Sequence, residues 1–139
     1  MHIFQRKKAV WGIGAYFQGE GDITKECLKE NAVVIGFKEE EKQKYYELFR
    51  SIEIGDFIFI KTRFMPTQDL KVKAIGVVVD NQIRTIPELY NAKGIKVRWI
   101  EDFSDIPRKI QKENEHDGDT RTIYQEMNEN VIKQIMSLL

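Results

Sequence analysis

The chain has 139 residues, 42% of them hydrophobic and 32% charged, and 22 Lys and Arg balance 22 Asp and Glu. A formal charge of zero excludes a uniformly basic nucleic-acid coat protein and leaves room for a local basic patch. The length suffices for one domain, 1–139, with a real core, and the composition is that of an ordinary soluble domain. The single cysteine, Cys27, cannot form an internal disulfide, which points to a reducing, cytoplasmic setting. The N-terminal stretch lacks the apolar core of a secretory signal, and no segment has the apolar length of a bilayer span, so no membrane association is expected.

In chain order, AVWGIGAYF (9–17) reads as an apolar strand with glycines where it would bend or meet a neighbour closely. DITKECLKEN (22–31) is a short helix with Asp22 as its N-cap and Ile23 and Cys27 on its apolar face. AVVIGF (32–37) is a compact buried strand. EEEKQKYYELFRSI (39–52) is a second helix, opened by acidic residues and burying Tyr45, Leu48, Phe49 and Ile52. GDFIFIKTRF (55–64) begins with a Gly55-Asp56 turn and continues as a strand apolar on both faces. MPTQDL (65–70) is a loop, and KVKAIGVVVDN (71–81) is a strand ending in an Asp80-Asn81 turn, so the two strands form an antiparallel hairpin. GIKVRWIEDF (94–103) alternates as a strand with one wet face, 105–120 is a polar excursion, and 120–139 ends as a helix. The order β-α-β-α-β-β-β-α is α+β. It fits a strongly bent, mostly antiparallel sheet or small barrel of five or six strands with two or three flanking helices better than a doubly wound sheet.

Residues 11–22, WGIGAYFQGEGD, carry four glycines but no phosphate-binding fingerprint. Phe17 stands where the third glycine of G-x-G-x-x-G belongs, and the next helix starts several residues late. Gly12 and Gly14 instead keep one face of the strand open to a neighbouring helix or a flat ligand. His2 and His116 are the only histidines, and no pair of ligating residues has metal spacing. His116-Asp-Gly-Asp resembles a calcium-loop fragment without its later glutamate and reads as a solvated loop. No nucleophile and base can be assembled, and Cys27 on an apolar helix face reads as a core residue, so the chain is expected to be no enzyme and to need no cofactor or metal.

Lys61, Thr62 and Arg63 follow the apolar run 57–60, and Lys71 and Lys73 open the next strand, making a local positive patch. Lysines there can simply guard a hairpin edge. They can also hold phosphates beside aromatic side chains, the combination that single-stranded or flipped-base recognition needs. Trp11, Tyr16, Phe37 and Phe64 are the candidate stacking residues, with Tyr16 and Phe64 at strand ends.

The series WGIGAYF, helix, AVVIGF, helix, IGDFIFIKT, KAIGVVV, over about 9–103, resembles the EVE-like branch of the PUA superfamily, above all the EVE/YTH-like modules of restriction and defence proteins. The resemblance implies a bent β-barrel whose mouth holds a modified or flipped base of DNA or RNA. The mouth would be formed by Ala15 and Tyr16 at the end of the first strand, Gly36 and Phe37 at the end of the second, and Lys61, Thr62 and Arg63 at the end of the third. Backbone groups near Gly14–Tyr16 and Gly36–Phe37 would meet the base edge, Tyr16 or Phe37 would stack, and Lys61 and Arg63 would hold phosphates, with Trp11 in the first strand. The Ser-Glu-Pro and aromatic-His-Ser strand endings common in that branch are Ala-Tyr-Phe and Ile-Lys-Thr here, which alters the polar groups of the pocket. The alternative is an interaction module that docks a partner ATPase, a nuclease or a second copy of itself through the apolar C-terminal end, Ile132, Ile135, Met136, Leu138 and Leu139.

Overall fold

The structure, a computed structural model, describes residues 7–62, 69–112 and 121–139. It is an α+β arrangement of three helices and one mixed sheet, with a small two-stranded ribbon beside them. The elements are β1 (Val10–Gly14), β2 (Tyr16–Phe17), β3 (Gly21–Asp22), α1 (Thr24–Glu30), β4 (Ala32–Ile35) and α2 (Gln43–Ser51). They continue with β5 (Phe57–Thr62), β6 (Lys71–Ile86), β7 (Ala92–Asp102), β8 (Arg108–Lys109), β9 (Ile123–Gln125) and α3 (Glu129–Ser137). The sheet order is β4-β7-β6-β5-β1-β9, with β8 on β6, and the path does not close into a barrel.

Every pair in the large sheet is antiparallel except β1 with β5. That exception follows from the connection: α1, β4 and α2 lie between them, and parallel neighbours need a long crossover of this kind. The apolar pattern of β1 and β5 then explains itself. Trp11, Ile13, Ile58 and Ile60 join the core under α1 and α2, whereas Val10 and Phe59 join the core under α3. A central strand covered on both faces has no solvent side and so reads as a continuous apolar run.

The junction of β1 with the start of β5 is tied by a fully buried carboxylate. Asp56 Oδ1 accepts from the Ala9 amide at 3.1 Å, and Oδ2 accepts from the Trp11 indole at 3.0 Å and the Glu53 amide at 2.9 Å. Gly55, at φ 92°, makes the turn that aims it inward.

Several expectations change. The second helix starts at Gln43 and has no acidic residue in its first turn; it buries Tyr46, while Tyr45 and Leu48 are only half-buried. The stretch after 105 is not all polar loop, since β8 pairs with β6 and Ile110 is buried. The strand 9–17 breaks at Ala15, and its end becomes the β2–β3 ribbon, paired Tyr16↔Asp22 and Phe17↔Gly21. Asp80-Asn81 does not end β6. Asp80 Oδ1 accepts from the Gln82 amide at 2.9 Å, and β6 advances from Asp80 to Arg84 while β7 recedes only from Lys96 to Gly94. Turn chemistry is absorbed in a bulge, and the chain reverses only after Ile86. The segment 120–139 is not all helix: Ile123 and Tyr124 point to opposite cores as strand residues do, and Asn128 caps α3 by accepting from the Val131 amide at 3.2 Å. The space beside Gly12 takes no helix or ligand either, because a Cβ there would lie 2.5 Å from Cζ of Tyr124, brought in by β9.

The N-terminus of α1 comes close to expectation. Asp22 Oδ1 accepts from the Thr24 amide at 2.9 Å and the Thr24 hydroxyl at 2.6 Å, one position earlier than the helix boundary requires. Burial tends to raise the Asp22 carboxyl, but hydrogen bonds from Lys73 and Thr24 outweigh it and hold the group below its ordinary value. No described helix is long and apolar enough to cross a membrane.

Candidate functional site: an aromatic cleft at the end of β4

A cleft of about 470 Å³ lies where the β2–β3 ribbon, the end of β4, the start of α2 and the β6–β7 connection meet. Its lining includes the aromatic residues Phe17, Phe37, Tyr46 and Tyr90, the Ile35–Gly36 stretch, and the charged residues Lys38, Glu39, Glu40 and Lys93. The volume lies within the ordinary range of small-ligand sites, about 300–1,000 Å³. A groove of about 540 Å³ along residues 40–45 is larger, but it is made from one stretch of mainly charged chain, and no second element converges on it.

Each wall has a local cause. Phe17 lies directly on Gly36, where a Cβ would stand 3.1 Å from the ring, so the missing side chain is what lets β2 approach β4. Tyr46, held in the core by α2, donates its hydroxyl to the Phe37 carbonyl at 2.7 Å and so fixes the backbone beyond the strand. The Phe37 ring tilts against Tyr45 at 5.9 Å, with Lys42 Nζ 5.5 Å from its centroid. Tyr90 meets Phe17 at 6.2 Å between centroids. Lys93 Nζ donates to the Thr85 hydroxyl at 2.6 Å, which sets its head across the neighbouring strand. Desolvation, then the carboxylates of Glu20 and Glu26, push the Tyr90 hydroxyl above its ordinary range.

The residues singled out from the sequence divide. Gly36 and Phe37 line the cleft. Tyr16 is 62% exposed but does not line it; its neighbour Phe17 does, because successive residues of an extended strand face opposite ways. Trp11 is only 2% exposed, and its indole is committed to Asp56, so it presents no stacking face. Ala15 is buried, and the Gly14 amide donates to the Thr122 carbonyl at 2.8 Å, which spends that donor within the fold. Lys61 sits beside Gly14 in register but is 5% exposed, its ammonium 5.7 Å from the Tyr124 ring centroid. Thr62 is half-buried at the end of β5. Arg63 and Phe64, like His2 and His116, lie outside the described residues.

Phe17 and Tyr90 escaped the sequence reading. Phe17 stood one position along a strand assumed to run straight through Ala15. Tyr90 lay in a stretch with no assigned element; in the structure it follows a 3-10 turn, Pro87–Leu89, in the connection from β6 to β7.

The fold and the cleft together define a small α+β protein whose mixed sheet carries an aromatic pocket at one end. Comparison of the sequence with protein-family models and with curated proteins returns no match.

Proposed function

We propose that this cleft receives a planar ring, an exposed, flipped or modified base of DNA or RNA, and binds it without chemistry, in keeping with an EVE-like, PUA-type reader. One observation supports the reading: Gly36 and Phe37, at one of the three strand ends expected to flank a base, line a cleft together with the aromatic residues Phe17, Tyr46 and Tyr90. Aromatic faces accept any base by stacking, each contact worth about 1–3 kcal/mol. The phosphate contacts fall to Lys38 and Lys93, which line the cleft, in place of the buried Lys61.

Fluorescence anisotropy with labelled oligonucleotides, single-stranded and duplex, plain and methylated, over a salt series tests it. Phe37→Ala should weaken binding roughly tenfold or more through lost stacking. Lys93→Ala should weaken all sequences alike and flatten the log–log salt slope by about 0.7–0.9. Binding that ignores both substitutions, or no binding at any salt, overturns the proposal. The interaction-module alternative has less to stand on: Val131 and Ile135 of α3 are buried against the sheet, with Ile132, Met136 and Leu138 packed beside them.

A further inference from the structure

Among the described residues, three that are not glycine have positive φ: Asn31 at 51°, Tyr90 at 58° and Asn91 at 57°. The two asparagines are unremarkable there, since a short amide side chain tolerates the left-handed region. Tyr90 is different. A bulky residue in that region is uncommon, because Cβ crowds the carbonyl, and Tyr90 stands at the end of a 3-10 turn, Pro87–Leu89, where Gly or Asn is the usual left-handed residue. Packing does not demand the ring either. Tyr90 is 46% exposed, and its aromatic partner is Phe17, itself a wall of the cleft. The connection is otherwise well anchored, with Leu89 and Ile86 buried and Ile86 paired to Ala92.

Strained backbone conformations concentrate where a ligand is held. We infer that Tyr90 is a ligand-stacking residue of the cleft, kept in the left-handed conformation at the expense of fold stability because only that conformation turns its ring across the opening toward Phe17. The inference rests on the base-reader function and assigns within it the residue that stacks on the ligand beside Phe17. Its signature is a split between stability and binding: a residue that suits the turn but lacks a ring should relieve the backbone and lose the ligand.

The test compares the unsubstituted full chain with Tyr90→Asn and Tyr90→Phe, by thermal melting and by anisotropy with the same oligonucleotides. Tyr90→Asn should melt at the same temperature or up to about 3 °C higher, while its affinity falls roughly tenfold or more. Tyr90→Phe keeps the ring and the strain, and should match the unsubstituted protein in both. If Tyr90→Asn binds as tightly as the unsubstituted chain, the assignment of Tyr90 is wrong and the reader function stands. If Tyr90→Asn melts several degrees lower or fails to fold, the side chain is a structural part of the turn and the inference falls. If the unsubstituted chain binds none of the oligonucleotides, the reader function itself is overturned, and the role of Tyr90 goes with it.

Discussion

Replacing Asp56 by alanine should be among the most damaging single changes in this protein. The carboxylate is fully buried and, among the described residues, accepts from the Ala9 amide, the Trp11 indole and the Glu53 amide. Ala9 and Trp11 are buried, so two of those donors would be left without water or partner. A buried orphan donor costs about 1–3 kcal/mol. Two of them, with a lesser term for the amide of the exposed Glu53, give about 4 kcal/mol, a large share of the 5–15 kcal/mol that holds a typical domain. Asp56→Asn should cost about 1–2 kcal/mol, because its amide oxygen still serves the Trp11 and Glu53 donors and only the Ala9 amide loses its partner. Urea unfolding followed by tryptophan fluorescence measures both, with Trp11 as a direct reporter. A double-mutant cycle with Trp11→Phe isolates the indole contact, and the Trp11→Phe penalty should shrink once Asp56 is gone. An Asp56→Ala penalty below about 1 kcal/mol would refute the account of this junction.

Three further outcomes are expected. Gly12→Ala should destabilise by about 1–3 kcal/mol by overpacking, since the added methyl meets the Tyr124 and Phe59 rings at under 3 Å; an unchanged urea midpoint would show that both rings can retreat. The lowered carboxyl of Asp22 contributes stability that is present above its unfolded value, near 3.9, and is lost as pH falls through the folded one. Because Asp22 is about half exposed, that contribution is at most about 0.5 kcal/mol; the stability gap to Asp22→Asn should narrow below about pH 4, and a gap that widens there would contradict the sign. The Cys27 thiol, pushed up to about 12 by burial and then by Glu26 and Asp22, should resist thiol reagents at mildly alkaline pH until urea opens the fold; rapid native-state labelling, followed by mass spectrometry, would contradict its burial.

What the sequence determined on its own is the list of elements whose signal is local. The helical spacing of Phe49 and Ile52, the two-sided apolar run of β5, the Gly55-Asp56 turn and the buried run of β4 are all properties of a few consecutive residues, and they reappear in the structure. Of the strand ends singled out in the sequence, Gly36-Phe37 lines the cleft, whereas Ala15, Tyr16 and Lys61 do not. Tertiary structure alone decided which neighbour each strand takes. β1 lies parallel to β5 and antiparallel to β9, from distant parts of the chain. That choice buried Lys61 against Tyr124, gave Trp11 to Asp56 and left the cleft to Phe17 and Tyr90, residues whose facing depends on where a strand breaks and where a hairpin turns. In a strand one residue of slip exchanges the two faces, and no single stretch of sequence carries the register that prevents it.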